Sequence, residues 1–263
     1  MRFALLAGLL LVFSAGTARA DTTPEVSTNW AGYAAVSADS TVPVAFTDVT
    51  ATWREPRGSC TPGRVSSSAF WVGLGGYDRA SEALEQLGTA AECDGTSPTP
   101  THHAWWEIVP AASVETPLKI APGDTITAAV LVQAQNVVFS LKNVTRKTRF
   151  SKVVSAAQPL DTSSAEWIAE APSTCSSLTR CRVVPLTNFG SVTFSRIAAI
   201  GNGHPGTLGD PLWQATPIQL IANGRADALF GGDVLGPGVG AVPGGPTADG
   251  RGFSVAWLRN LAP

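Results

Sequence analysis

Apolar side chains recur at every second position in several segments, and this spacing is the feature that most constrains the fold. In DTITAAVLV (124–132), the residues at 126, 128, 130 and 132 are all apolar and fall on one face of an extended chain. The same alternation runs through TDVTATW (47–53), SVTFSRI (191–197) and GFSVAWL (252–258). Period two predicts β strands with one buried face. SAFWVGL (68–74) is almost continuously apolar and predicts a central strand covered on both faces.

Turn signals separate these segments, among them Pro62-Gly63, Pro122-Gly123-Asp124 and Asn202-Gly203. Many short strands divided by frequent turns are typical of an antiparallel sandwich or barrel. No internal repeat or linker divides the sequence. Residues 21–263 are therefore predicted to form a single all-β domain.

Two stretches do not follow the strand pattern. DRASEALEQL (78–87) is rich in Ala, Glu and Leu, whose propensity favours a helix. A strand at Gln86 is the competing interpretation, and a short helical turn before Gln86 is compatible with both. The segment 231–252 is rich in Gly and Pro and is predicted to be a long irregular loop.

The first twenty residues have the layout of a secretory signal peptide. Arg2 precedes an apolar run from Phe3 to Phe13, and Ala18-Arg19-Ala20 forms a small-residue cleavage site. The run is too short to span a bilayer and no later segment reaches that length, so we expect a secreted protein, extracellular or periplasmic, with no membrane role. Removal of Arg2 and Arg19 takes the formal net charge from −2 to −4. No basic stripe is present, so nucleic acid is not an expected partner, and a monomer is expected.

Four cysteines, Cys60, Cys93, Cys175 and Cys181, predict two disulfides in an exported chain, with three possible connectivities. The short separation of Cys175 and Cys181 favours a local bridge between them and leaves Cys60 to pair with Cys93. A four-cysteine zinc site is not favoured, because there is no CxxC pair. Asn143-Val144-Thr145 is a glycosylation sequon. We interpret Asn143 as a turn residue.

Two segments carry the residues most suited to chemistry. LEQLGT (84–89) places the amide of Gln86 in an apolar setting, and SSAEWIAE (163–170) places the carboxyl of Glu166 beside a Trp. A carboxyl in apolar surroundings has a raised pKa and exchanges protons near a mildly acidic pH. A Gln and a Glu brought together can hydrolyse a substrate by acid–base chemistry without a Ser, Cys, His or metal.

Other catalytic arrangements have weaker support. The sequence has no GxSxG motif, and only three histidines are present. His102 and His103 are adjacent, so on a strand they point to opposite faces and do not chelate a metal together. Neither a metal nor any other cofactor is expected.

Further carboxylates leave two alternative hypotheses open. Glu107 lies between aromatic residues in AWWEIVP, and Glu170 lies on the same strand face as Glu166. Two carboxylates such as Glu107 and Glu166 can hydrolyse a glycoside. Exported β-sandwiches with surface Trp residues also bind sugars by stacking. A glycoside hydrolase and a lectin-like carbohydrate-binding module are therefore the alternatives to a Gln–Glu hydrolase.

Several segments, taken in order, resemble the glutamic peptidases, also called eqolisins. They are NWAGY (29–33), WREP (53–56), FWVGLGG (70–76), LEQLG (84–88), AWWEIVP (104–110), APGDTI (121–126), LKNVT (141–145), AEWIAE (165–170) and NFGSVTF (188–194). Each motif is short, but together they cover most of the mature chain up to about residue 200.

The resemblance implies a fold, a reaction and a set of site residues. The fold is a sandwich of two large antiparallel sheets, similar to the concanavalin A or legume-lectin architecture. The reaction is peptide-bond hydrolysis by a secreted acid endopeptidase acting on proteins or peptides. Gln86 matches the catalytic Gln and Glu166 the catalytic Glu. The resemblance also implies that Trp30, Trp71, Trp106 and Glu107 line the substrate site. Two positions depart from the family pattern: Gly75, where an Asp is common, and Trp106, where a Tyr is usual.

Overall fold

The computed structural model describes residues 23–177, 180–221 and 239–259, with side chains described outside 175–180. The predicted signal peptide and the first part of the 231–252 segment lie outside the described residues. The described chain forms β strands and no α-helix, and so contains no helix able to cross a membrane. The strands are β1 (Glu25–Ser27), β2 (Trp30–Ser37), β3 (Phe46–Arg54), β4 (Val65–Leu74), β5 (Leu84–Asp94), β6 (Thr101–Val109), β7 (Val114–Glu115), β8 (Thr125–Gln133), β9 (Asn136–Asn143), β10 (Thr148–Ser155), β11 (Ser164–Glu170), β12 (Ser173–Ser177), β13 (Arg180–Val183), β14 (Ser191–Gly201), β15 (His204–Gly206), β16 (Trp213–Ile221), β17 (Gly240–Pro243) and β18 (Gly252–Leu258).

Sixteen of these strands belong to one hydrogen-bonded sheet. Its order is β10-β9-β8-β3-β14-β18-β17-β16-β2-β11-β4-β5-β6-β7, with β1 beside β16 and β15 beside β14. The β1–β16 pair is parallel, whereas the other pairs are antiparallel. β12 and β13 form a separate two-stranded sheet.

The large sheet curls until its two halves pack face to face. The Trp106 and Phe139 rings lie 5.2 Å apart and join β6 to β9. The Trp167 indole donates to the Thr50 carbonyl at 2.9 Å and joins β11 to β3. Both contacts link strands that are distant in the sheet order. The predicted all-β antiparallel sandwich is thus confirmed, with one difference: the two layers are continuous through β18, β17 and β16.

The alternation in the sequence matches the buried faces of the strands. In β8, Ile126, Ala128 and Val130 are fully buried, and their neighbours are partly exposed. From Ser66 onward every residue of β4 is buried, as expected for a central strand covered on both faces. One face of β4 joins the main core between the layers, and its other face joins a second cluster that contains Trp71, Trp105 and Ile168. This second cluster lies on the opposite side of the sheet from the main core.

Two irregular segments differ from expectation. Within 231–252, residues Gly240–Pro243 form β17, because they fill the gap between β16 and β18 and pair with both. Over 78–87 no helical turn forms. Residues 78–80 form a turn, in which the Ser81 amide donates to the Asp78 carbonyl at 2.9 Å, and residues 81–83 lead irregularly into β5, which begins at Leu84. Pairing of β5 with β4 and β6 outweighs a helix propensity of only tenths of a kcal/mol per residue.

A disulfide joins Cys60 to Cys93, with an S–S distance of 2.03 Å. Cys181 is also disulfide-bonded, and the backbone of Cys175 lies directly opposite it in the β12–β13 pair. The sequon residue Asn143 ends β9 and is fully buried. Its amide donates to the Lys119 carbonyl at 3.1 Å and to Asp124 Oδ2 at 2.8 Å, so it serves as an internal hydrogen-bond donor.

Candidate active site

The sheet register places Gln86 and Glu166 on the same rung of one face. Glu166 of β11 lies opposite Gly73 of β4, and Gly73 lies opposite Gln86 of β5. Directly opposed residues point to the same side of a sheet, so both side chains project from one face with a glycine between them. Two strand spacings separate their Cα atoms, roughly 10 Å. We call this side of β2, β11, β4, β5 and β6 the site face.

Gly73 keeps the space between the two side chains open. A Cβ atom at this position would lie 2.9 Å from Cζ3 of Trp71 and 3.1 Å from Cδ1 of Leu84. Any larger residue would therefore clash with Trp71 and Leu84 and fill the gap between Gln86 and Glu166. The sequence provides the required glycine in Val72-Gly73-Leu74, where it interrupts an otherwise apolar strand.

Glu166 lies in a buried environment, and its side chain is 0% exposed. Burial raises the pKa of Glu166 well above its ordinary value, against the opposing effect of a hydrogen bond from the Ser164 hydroxyl. The nearby charges of Asp161 and Glu85 act in the same direction as burial. A carboxyl with these properties can hold or release a proton next to a substrate.

Gln86 is paired with a carboxylate on its other side. Glu107 of β6 is its directly opposed residue, and Gln86 Nε2 donates to Glu107 Oε2 at 2.6 Å. The amide oxygen of Gln86 is buried and has no donor among the described residues. Burial raises the pKa of Glu107, against the opposing effect of its hydrogen bonds from Gln86 and the Ser113 backbone. The predicted site acid is thus in direct contact with the predicted catalytic amide.

Trp71 and Trp30 form the aromatic floor beside this rung. Trp71 is fully buried, and its ring meets that of Trp30 edge to face at 5.0 Å. The Trp71 indole donates to Glu170 Oε2 at 2.6 Å, and Asn29 donates to the other oxygen of Glu170 at 3.2 Å. Burial raises the pKa of Glu170 to about 7 despite these hydrogen bonds. Glu170 therefore holds the indole of Trp71 in place across the site face.

The structure corrects the placement of Trp106. Its ring packs on Phe139 in the core between the layers, on the side of the sheet away from Gln86. Trp105 takes the predicted place, because it lies opposite Gly88 and joins the cluster on the site face. Residues 105 and 107 share a strand face, whereas 106 cannot share a face with 107. Strand parity in AWWEIVP was the signal that could have identified Trp105.

Asp161 occupies the space beside Gly75. Position 75 is the one at which the glutamic peptidases commonly have an Asp. A Cβ atom at Gly75 would lie 2.6 Å from the Asp161 Cβ and 2.8 Å from its Cγ. Asp161 accepts hydrogen bonds from the Gly76 amide at 3.0 Å and the Ser81 hydroxyl at 2.5 Å. The site therefore retains a carboxylate in this region, supplied by the segment before β11. No sequence pattern indicated this role, since Asp161 lies far from Gly75 along the chain.

The arrangement favours an amide–carboxyl pair over two carboxylates. Glu107, Gln86, Gly73 and Glu166 lie on four successive strands in that order. Three strand spacings, roughly 14 Å between Cα atoms, separate the two glutamates, and the Gln86 amide lies between them. Glycosidases place their two carboxyl groups about 5 to 10 Å apart with the sugar between them. The glycosidase hypothesis is thus disfavoured by the intervening amide.

These features are those of a glutamic-type peptidase, and comparison with known proteins agrees. The model of the Peptidase A4 family matches residues 28–228. The chain therefore belongs to the peptidase A4 family, the eqolisins or glutamic peptidases, and is a glutamic endopeptidase. No curated protein matches the chain by sequence comparison.

Solved structures of glutamic peptidases share the fold. Scytalido-glutamic peptidase with a peptide-based transition state analogue is 25% identical, with a TM-score of 0.67, over 88% of this chain and 98% of that one. SCP-B, an eqolisin in complex with the tripeptide Ala-Ile-His, is 25% identical with a TM-score of 0.64 and the same coverage. Aspergilloglutamic peptidase from Aspergillus niger is 23% identical with a TM-score of 0.56, over 73% of this chain and 99% of that one, and supports the fold alone.

Proposed function

We propose that Gln86 and Glu166 are the catalytic dyad of this peptidase. The observation that carries the proposal is the shared rung, in which only Gly73 separates the two side chains. Glu166 offers a fully buried carboxyl with a raised pKa, and Gln86 offers a buried amide. An amide and a carboxyl in this arrangement supply an oxyanion donor and a proton carrier.

The proposed reaction follows from these two groups. Ionised Glu166 takes a proton from a water molecule, which attacks the carbonyl carbon of the scissile peptide bond. The Gln86 NH2 group donates to the oxyanion that develops on the carbonyl oxygen. Glu166 then returns the proton to the leaving nitrogen as the C–N bond breaks. Burial of the site strengthens each of these interactions relative to water.

We propose that the substrate is a protein or peptide that binds along the site face. Trp30 is only partly buried and offers aromatic surface, supported from beneath by the buried Trp71 and Trp105. Glu107 offers a polar contact next to Gln86. The tripeptide seen in SCP-B and the peptide-based analogue in scytalido-glutamic peptidase support a peptide ligand over a glycan. The carbohydrate-binding alternative has no comparable support. The reaction as proposed uses no metal or other cofactor.

We further propose that the mature protein is a secreted monomer formed by one domain over residues 21–263. The signal-peptide pattern of residues 1–20 and the Cys60–Cys93 disulfide support export, because disulfides persist in oxidising compartments. We infer an acidic working range, as expected where carboxyl groups perform the proton transfers, with its lower limit set by the raised pKa of Glu166, which must be ionised to act as the base.

Proteolysis assays on the chain lacking residues 1–20 test the dyad. A denatured protein substrate is digested between pH 2 and 7 by the unmodified enzyme and by the Gln86→Ala, Glu166→Ala and Glu166→Gln variants. We expect loss of one oxyanion donor in Gln86→Ala to lower kcat by about 100- to 1000-fold. Both Glu166 variants should be inactive. Glu92→Gln, an exposed change on the same strand as Gln86, is the matched control. Full activity in either Glu166 variant would show that the dyad is wrongly assigned.

A further inference from the structure

The contact between Glu107 and Gln86 determines which end of the amide faces Glu166. Gln86 lies between Glu107 of β6 on one side and Gly73 of β4 on the other. Its Nε2 atom is bonded to Glu107 at 2.6 Å. The nitrogen and oxygen of an amide lie on opposite sides of its carbon, so Oε1 is turned away from Glu107 towards Gly73 and Glu166.

This orientation is the one that an ionised carboxylate imposes. An ionised carboxylate only accepts hydrogen bonds, so it selects the NH2 end of the amide. The end that is then turned towards the reacting carbonyl is an acceptor, which repels a developing oxyanion. A protonated carboxyl has one O–H donor and can bond the amide oxygen instead. Rotation of the amide by half a turn would then direct the NH2 group towards Glu166 and the substrate.

We propose that Glu107 is a positioning residue that, in its protonated form, orients the Gln86 amide so that its NH2 group can stabilise the oxyanion. This inference rests on the proposed dyad and adds a role for the residue on the far side of Gln86. The competent enzyme has Glu107 protonated and Glu166 ionised. Ionisation of Glu107 reverses the amide and removes the oxyanion donor.

The groups around the pair are acidic. The charge of Glu107 raises the pKa of Glu170, on the floor of the site face. On the Glu166 side, Asp161, Glu85 and Tyr77 are the other titratable groups within electrostatic range. Among the described residues, no Lys or Arg contributes to the pKa of either glutamate. Burial likewise raises the pKa of Glu107, which extends its protonated range upward.

A bell-shaped dependence of kcat/KM on pH follows from these two requirements. The competent form carries one proton on the pair. Activity therefore rises as the pair loses its first proton and falls as it loses its second, and the two limbs belong to the pair and not to either residue alone. The assay is cleavage of a fluorogenic peptide between pH 2 and 8 by the enzyme and its Glu107→Gln, Glu107→Ala and Glu92→Gln variants. An amide at position 107 donates or accepts at any pH. The profile of Glu107→Gln should therefore have no falling limb. When kcat/KM at pH 7 is divided by the maximum of the same enzyme, the ratio for Glu107→Gln should exceed that for the unmodified enzyme by at least about tenfold.

The Ala variant separates positioning from charge. Glu107→Ala leaves the Gln86 amide without a partner, and kcat should fall by about 10- to 100-fold at every pH because the donor is misplaced. A kcat in Glu107→Ala equal to that of the unmodified enzyme, or a falling limb retained in Glu107→Gln, would overturn the proposal. Glu92→Gln should leave the profile unchanged, because Glu92 lies at the far end of β5.

A spectroscopic measurement gives a readout independent of turnover. The side-chain amide resonances of Gln86, assigned by their loss in Gln86→Ala, should shift as Glu107 ionises, within the pH range of the bell, and should lose this shift in Glu107→Gln. An amide signal that does not change across this pH range would also overturn the proposal. Full activity in Gln86→Ala or Glu166→Ala would instead refute the dyad itself, so the two failures are distinguishable.

Discussion

Replacement of Glu85 by Gln tests how buried carboxyls set the pH range in which the fold is stable. Glu85 precedes Gln86 but points to the opposite face of β5. Its side chain is 0% exposed. Burial, assisted by the charge of Asp161, raises the pKa of Glu85 to about 8, from an ordinary value of 4.5. The folded protein therefore holds a proton on Glu85 at pH values where the unfolded chain has lost it.

The sign and size of the effect follow from this difference in proton binding. A carboxyl with a raised pKa contributes stability that is fully present below about pH 4.5, the unfolded value, and is lost as the pH rises to about 8. Each pH unit in this window costs about 1.4 kcal/mol of unfolding free energy. The loss is thus on the order of 3 kcal/mol at pH 7 and 5 kcal/mol above pH 8.

Urea unfolding followed by Trp fluorescence measures this loss. Both proteins carry Glu166→Ala to prevent self-digestion, and unfolding is recorded at pH 4, 5.5 and 7 with and without Glu85→Gln. A neutral amide does not titrate, so the stability of the Glu85→Gln variant relative to its parent should increase by about 3 kcal/mol from pH 4 to pH 7. Any constant cost of burying the amide cancels in this difference.

Two comparisons make the result decisive. Glu92→Gln, an exposed substitution on the same strand, should show no such pH dependence. Asp161→Asn removes a charge that, together with burial, raises the pKa of Glu85. The pKa of Glu85 should then fall, and the pH range over which stability is lost should become narrower. A stability difference between the Glu85→Gln variant and its parent that is the same at all three pH values would refute the reasoning.

Two further predictions concern Gly73 and Asn143. Gly73→Ala should destabilise the fold by about 1–3 kcal/mol through overpacking against Trp71, and should abolish peptidase activity by filling the gap in the dyad. Thermal melts and kcat/KM measure both effects, with Gly245→Ala, where an added Cβ meets no atom within 4 Å, as the control. Asn143 should carry no glycan when the protein is secreted from a glycosylating host, because its side-chain amide is buried and bonded to Lys119 and Asp124. An intact protein mass that includes a glycan at Asn143 would contradict this prediction.

Strand periodicity predicted the fold because each strand is governed by a local rule. A residue buried on one face is followed by one that faces the other way, and β8 and β4 obey this rule over their whole length. The curl that joins both layers into one sheet was not predictable in this way. It depends on the pairing of β17 with both β16 and β18. Long Gly- and Pro-rich sequence separates these strands along the chain.

The site was predictable to the extent that it follows strand parity and family motifs. Glu107 and Gln86 proved to be directly opposed, and Trp30 and Trp71 lie together on the same face. The assignment of Trp106 was wrong because a motif was transferred without applying the alternation that had identified the strands. Register between β11, β4 and β5 cannot be obtained from any one strand, so the role of Gly73 emerged only from the structure.

Asp161 shows how one ionised group can link the segments that carry Gln86 and Glu166 while the neighbouring Glu85 is protonated. Burial alone would raise the pKa of Asp161, but hydrogen bonds from Ser81, Ser163 and Gly76 hold it below its ordinary value. Two of these donors belong to the connection before β5, which carries Gln86, and the third precedes β11, which carries Glu166. Because the pKa of Asp161 lies below its ordinary value, Asp161 is ionised at mildly acidic pH, where Glu85 is neutral, and keeps the two connections together there. A carboxylate at position 75 would come from the connection before β5 itself, whereas Asp161 bonds both this connection and the segment before β11.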